Sequence, residues 1–154
     1  MAKTISFPNR TQAARSRRNN KAMLLPMPRA CADDLALQVH LALAALRRGG
    51  ASHDAQALLH VHVLATMIAD AGYGVLTQAQ VDDADAALLA CYQRGQSGGG
   101  WQLDKAGFDA VAAILNVYDE QLQCAPLWVL NEASERLDRM GAPGAGQQAM
   151  RKLA

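Results

Sequence analysis

The first 32 residues of this 154-residue chain contain no acidic side chain. They carry seven Lys/Arg, whereas residues 33–154 carry the other eight together with all 14 Asp/Glu, a net charge of −6. The overall net charge of +1 therefore conceals a basic N-terminal segment joined to an acidic remainder. Because a segment with only one sign of charge cannot be buried cheaply, we expect it to meet something negative.

Aromatic residues are also scarce, at 5% of the chain, while Ala and Leu dominate the apolar residues. A β-sheet protein is expected to contain more aromatic and β-branched residues, whereas Ala and Leu are strong helix formers. The composition therefore predicts an all-α fold, and the length predicts one domain. We expect a mobile basic arm over residues 1–30, a helical bundle over 31–142 and a frayed tail over 143–154.

Local signals predict a compact bundle of about five helices. The first is expected over residues 34–48, capped by Asp33 or Asp34 and stopped by the glycines at 49 and 50. The second is expected after Ser52 and up to residue 71. The other three signals are a capping box of Thr77 with Gln80 for a helix ending at Gly95, an Asp104 cap, and Pro126 in a first turn.

Several patterns that mark other classes of protein are missing. No apolar run approaches the length of a membrane span, and the six-residue run at 22–27 is shorter than a signal-peptide core. The three cysteines, Cys31, Cys91 and Cys124, lie far apart and form no C-x-x-C pair. This spacing indicates free thiols in a reducing compartment, so we predict a cytoplasmic protein without a membrane partner. Cys91 and Cys124 are expected to fill the core.

No motif supplies a nucleophile with a neighbouring base, and the glycines at 98–100 do not form a phosphate-binding loop. His60 and His62 lie two positions apart on a predicted helix, so they point in nearly opposite directions and cannot ligate one ion. We therefore predict a protein that is not an enzyme, with no cofactor and no metal site.

The basic arm is the leading candidate site. Its cations would contact phosphates along a nucleic-acid backbone and release counterions. Two other interpretations stay open: the arm docks on the acidic body or on a partner protein, or it is a solvated tail. The candidate nucleic-acid-binding residues are Lys3, Arg10, Arg15, Arg17, Arg18 and Lys21.

The acidic body offers a second candidate surface for a protein partner. Asp82, Asp83 and Asp85 stand early in the third predicted helix, where carboxylates also offset the helix dipole. Trp101 is expected beside the glycine loop as a partner anchor or as a cover for one end of the bundle, and Trp128 is expected in the core. The alternative function is therefore an inhibitor or adaptor, and the Ala-rich surface is compatible with a homodimer.

The order of elements over about residues 15–48 resembles a loose set of short proteins from proteobacterial phages and mobile elements. They share a basic N-terminus, a proline joint such as that at residues 25–29, and an Ala/Leu helix such as that at residues 35–46. Some are labelled Fis-like regulators, and the resemblance implies DNA binding in a regulatory or accessory role. This chain departs from true Fis proteins because its C-terminus contains no helix-turn-helix.

Overall fold

A computed structural model describes residues 10–141, with side chains described from residue 14. Within this range the fold is all-α, as predicted, and an isolated bridge between Gly50 and Trp101 is the nearest approach to a strand. The described residues form six helices instead of about five. They are α1 (Arg10–Met23), α2 (Arg29–Arg47), α3 (Ser52–Asp70), α4 (Gln78–Gln96), α5 (Lys105–Cys124) and α6 (Leu127–Gly141).

Two of the predicted helix starts are confirmed in atomic detail. Thr77 Oγ1 accepts from the Gln80 backbone N–H at 3.1 Å, and Gln80 Oε1 accepts from the Thr77 N–H at 3.0 Å. Asp104 Oδ1 accepts from the Gly107 N–H at 2.7 Å. These side chains satisfy N–H groups that no earlier turn can reach, which is why α4 and α5 begin where the sequence predicts.

The start of α2 differs from the prediction. The helix begins at Arg29, five residues before the expected Asp34, and Pro28 occupies the N-cap position. The Pro28 carbonyl accepts from the N–H groups of Cys31 and Ala32, so neither Asp33 nor Asp34 acts as the cap. Asp33 instead lies one turn after Arg29, at 3.9 Å from its guanidinium.

The end of α4 also differs, and the reason is steric. Gly95 was expected to stop the helix, but α4 continues to Gln96 and the left-handed residue is Gly98, with φ of 81°. Gly95 lies inside the helix, where an added Cβ would come within 2.2 Å of the Trp101 indole. The glycine therefore makes room for a tryptophan and does not end the helix.

The core lies where α5 packs against α2, α3 and α4, and α6 covers the far side of α3. Its largest fully buried apolar side chains are Leu46, Leu58, Ile68, Ile114, Leu115 and Leu122. Cys91 is buried as predicted, whereas Cys124 is exposed because it stands at the last residue of α5. None of the helices in residues 10–141 combines the length and the apolar character needed to cross a bilayer.

Candidate nucleic-acid interface

Helix α1 (Arg10–Met23) lies within residues 1–30, for which the sequence predicts a mobile basic arm. Ala, Arg, Gln and Lys are good helix formers, and Pro26 with Pro28 prevents the helix from running on into α2. The joint is tied to the body by a backbone hydrogen bond of 2.8 Å from the Leu127 N–H to the Leu25 carbonyl. That bond also satisfies an N–H in the first turn of α6, which lacks a partner within its own helix.

Four of the predicted nucleic-acid-binding residues lie together on α1. Arg15, Arg17, Arg18 and Lys21 are all exposed. At about 100° per residue they cover an arc of about 160° on the helix surface. Met23 lies on the opposite side, is half-buried, and contacts α6 with its sulfur 3.6 Å from Asn131 Nδ2. The contact with the body therefore points the cations towards solvent.

These cations do not pair with the acidic body. All 14 acidic residues of the chain fall within the described range, and none approaches Arg15, Arg17, Arg18 or Lys21 within ion-pair distance. Lys3 lies outside the described residues, and Arg10 begins α1 with its side chain outside the described ones. The arrangement presents four positive charges on one helix, uncompensated by any carboxylate of the body.

The acidic residues of α4 do not converge on one point. Asp82 Oδ1 accepts from Gln78 Nε2 at 2.8 Å, and Asp85 Oδ1 lies 3.6 Å from His62 Nε2 on α3. Asp83 lies about 160° round the helix from Asp85. All three are exposed, and among the described residues no three His, Cys, Asp or Glu side chains are arranged to hold a metal ion. Their predicted role as a partner site stays a prediction.

One of the two tryptophans lies in a different environment from the one expected of it. Trp101 is half-buried, with its ring edge-to-face against Tyr92 at 5.2 Å and its indole over Gly95. It closes one end of the bundle, and its role as a partner anchor stays a prediction. Trp128 was expected in the core, but it is 42% exposed on α6, where it lines a shallow groove against Met67 of α3.

The histidines have separate structural environments. His62 is buried and His60 is exposed, as their spacing predicts. Burial lowers the pKa of His62, and the nearby Asp85 carboxylate opposes this shift in part. His40 Nε2 lies 2.7 Å from Asp119 Oδ2 and links α2 to α5 across 79 positions of sequence. No local pattern could have revealed that pair.

Gln121 is a second polar side chain that no sequence motif singles out, and it is fully buried. Its Nε2 donates to the carbonyls of Ala65 and Tyr73, both at 2.9 Å, while its Oε1 has no partner within the described part of the chain. The bonds hold the turn after α3 against α5. The available signal was its position beside Tyr118 and Leu122 on the buried face of α5.

Comparison of the chain with models of protein families, with curated proteins and with solved structures finds no match.

Proposed function

We propose that this protein is a non-enzymatic, cytoplasmic, nucleic-acid-associated regulatory or accessory factor that contacts DNA or RNA through helix α1. The observation that supports the proposal is the exposed set of Arg15, Arg17, Arg18 and Lys21, which no carboxylate of the body neutralises. The three free cysteines support the cytoplasmic assignment.

Repulsion between the charges of α1 supports this contact. Like charges three or four positions apart destabilise a helix by about 0.2–0.5 kcal/mol per pair. Helix α1 contains three such pairs, which are Arg15 with Arg18, Arg18 with Lys21, and Arg17 with Lys21. Phosphates placed between these side chains would remove that repulsion and would release condensed counterions. The body, with its net charge of −6, would repel the same phosphates, so the contact is confined to α1.

The contact we propose is mainly with the backbone of the nucleic acid. A helix of 14 residues is about 21 Å long, and an α-helix fits into or along the major groove of a duplex. Four phosphate contacts on a duplex predict that log K falls with log salt concentration with a slope of about −3 to −4. Most of the affinity is therefore expected to be independent of sequence.

The test measures the binding of a labelled duplex to the full chain by fluorescence anisotropy over a series of salt concentrations. The variant replaces Arg15, Arg17 and Arg18 with Gln. A matched control removes three exposed positive charges from the body by replacing Lys105, Arg136 and Arg139 with Gln. Both variants change the net charge equally, so only the position of the lost charges differs.

We expect the α1 variant to lose most of its affinity at low salt, and its salt slope to become shallower by about 3. The control should keep a slope close to that of the original chain. Equal losses of affinity in both variants would show that binding depends only on the overall charge of the chain and not on α1. No binding of the duplex by the original chain at low salt would refute the proposal. In that second case an acidic protein partner for α1 becomes the better explanation.

A further inference from the structure

Helix α2 is apolar on two opposite faces, but the described fold covers only one of them. Val39, Leu43 and Leu46 are buried against α3 and α5. Leu37 and Leu41 point the other way, and each is 59% exposed. Single exposed leucines are common on protein surfaces, but two leucines aligned on one helix face are not expected without a partner. This face is therefore a candidate interface.

Charged residues of opposite sign lie at the two ends of this face. Asp34 precedes Leu41 by seven residues and Arg48 follows it by seven, so both lie about two turns away on the same side of the helix. Both side chains are exposed. Within the described range neither of them forms an ion pair. The face is therefore negative at one end, apolar in the middle and positive at the other end.

We propose that a second copy of this chain packs on this face, with the two α2 helices antiparallel and a two-fold axis close to Leu41. In this arrangement Asp34 of each copy lies opposite Arg48 of the other, and the two Leu41 side chains meet at the axis. A parallel arrangement would instead oppose like charges. The face is thus complementary to itself, which is the requirement for an isologous dimer.

The surface beside the axis is shaped to accept a side chain. Ala44 and Ala45 are small, and with Leu41 and Phe108 they line a shallow depression next to the apolar face. Leu37 of the second copy reaches this depression in the antiparallel register, because it lies four residues before the axis and Ala45 lies four residues after it. The small residues allow the two helices to approach closely enough for this contact.

The interface is small, because it rests on one helix from each copy over about 21 Å between Asp34 and Arg48. Interfaces of this size are weak, so we expect a dimer with a dissociation constant in the micromolar range. This inference is independent of the proposed nucleic-acid contact, since it uses no residue of α1.

The first experiment measures the mass of the full chain by sedimentation velocity from about 1 µM to about 300 µM, which brackets the expected dissociation constant. Leu41→Glu should abolish self-association, because it places two carboxylates at the axis. The matched control is Leu89→Glu, which changes a leucine that is 56% exposed on α4. It should associate like the original chain.

The second experiment tests the antiparallel register. Asp34→Arg and Arg48→Asp should each weaken self-association by about tenfold or more, since each change places like charges opposite one another at both ends of the interface. An equimolar mixture of the two variants should associate again, because opposite charges then face each other at both ends. The double variant should also associate, since it exchanges the two charges.

Three results would overturn the proposal. One is a chain that stays monomeric over the whole concentration range. Another is a Leu89→Glu variant that loses association as completely as Leu41→Glu. The third is a mixture of the two charge variants that associates no better than either alone, which would show that Asp34 does not face Arg48 of the second copy.

Discussion

Replacing Gly95 with Ala tests whether Trp101 is a fixed part of the bundle. In the interior of a helix this change ordinarily stabilises a protein by about 1 kcal/mol, because alanine has the higher helix propensity. In α4 the added Cβ would lie 2.2, 2.3 and 2.4 Å from three carbon atoms of the Trp101 indole. Carbon atoms in contact normally lie about 3.5–4.0 Å apart, so the indole must move by more than about 1 Å.

That movement determines the sign of the effect. The Trp101 indole would have to leave its edge-to-face contact with Tyr92. Overpacking of this kind costs about 1–3 kcal/mol. After the gain in helix propensity is subtracted, we expect Gly95→Ala to lower the free energy of unfolding by up to about 2 kcal/mol. The measurement is urea unfolding followed by far-ultraviolet circular dichroism.

A double-mutant cycle with Trp101→Ala isolates the contact. Once the indole is absent, Gly95→Ala should stabilise the chain by up to about 1 kcal/mol, so the two changes should be coupled by about 1–3 kcal/mol. A Gly95→Ala variant that is about 1 kcal/mol more stable than the original chain, as helix propensity alone predicts, would refute the reasoning. It would mean that the indole moves away at little cost, as expected of a side chain presented to a partner.

Two further predictions concern buried polar groups. Gln121→Met should destabilise the fold by about 2–3 kcal/mol in urea unfolding, because it removes the donor from the buried Ala65 carbonyl and the half-buried Tyr73 carbonyl. The exposed Gln123→Met should be nearly neutral. Burial lowers the pKa of His62 below 6.5, so the unfolded chain takes up a proton before the folded chain as the pH falls. The free energy of unfolding should therefore decrease as the pH falls below 6.5. His62→Gln should lose less stability than the original chain between pH 7.5 and pH 5 on the same assay, and an equal loss would contradict this assignment.

The features that the sequence predicts correctly are those set by neighbouring residues. The Thr77 and Asp104 caps depend on atoms three positions away, so they can be identified without knowledge of the fold. The all-α class follows from the high content of Ala and Leu, because helix propensity is also a local property of each residue. The helix in residues 10–23 was missed because it has no apolar stripe, which is the signal by which a helix is identified in a sequence.

The features that could not be predicted depend on contacts between distant segments. Gly95 has the appearance of a stop signal until Trp101 is placed against it, and His40 cannot be assigned a partner until α2 and α5 are packed together. Trp128 was expected in the core because of its size, but the packing of α6 leaves it at the surface. Local chemistry therefore sets the helices, whereas their packing sets which polar and aromatic side chains are buried.

The position of α1 separates the positive charges of the N-terminal segment from the acidic body. Positive side chains that served only to balance the acidic body would gain most by lying within a few ångströms of its carboxylates. Those of α1 instead point away from the body, and their mutual repulsion opposes the helix that carries them. Such an arrangement lowers the stability of the helix, and an anion bound between the cations would offset that cost. The polyanion that we propose as the partner would match this requirement better than a single carboxylate, because its charges are spaced along a line as those of the helix are.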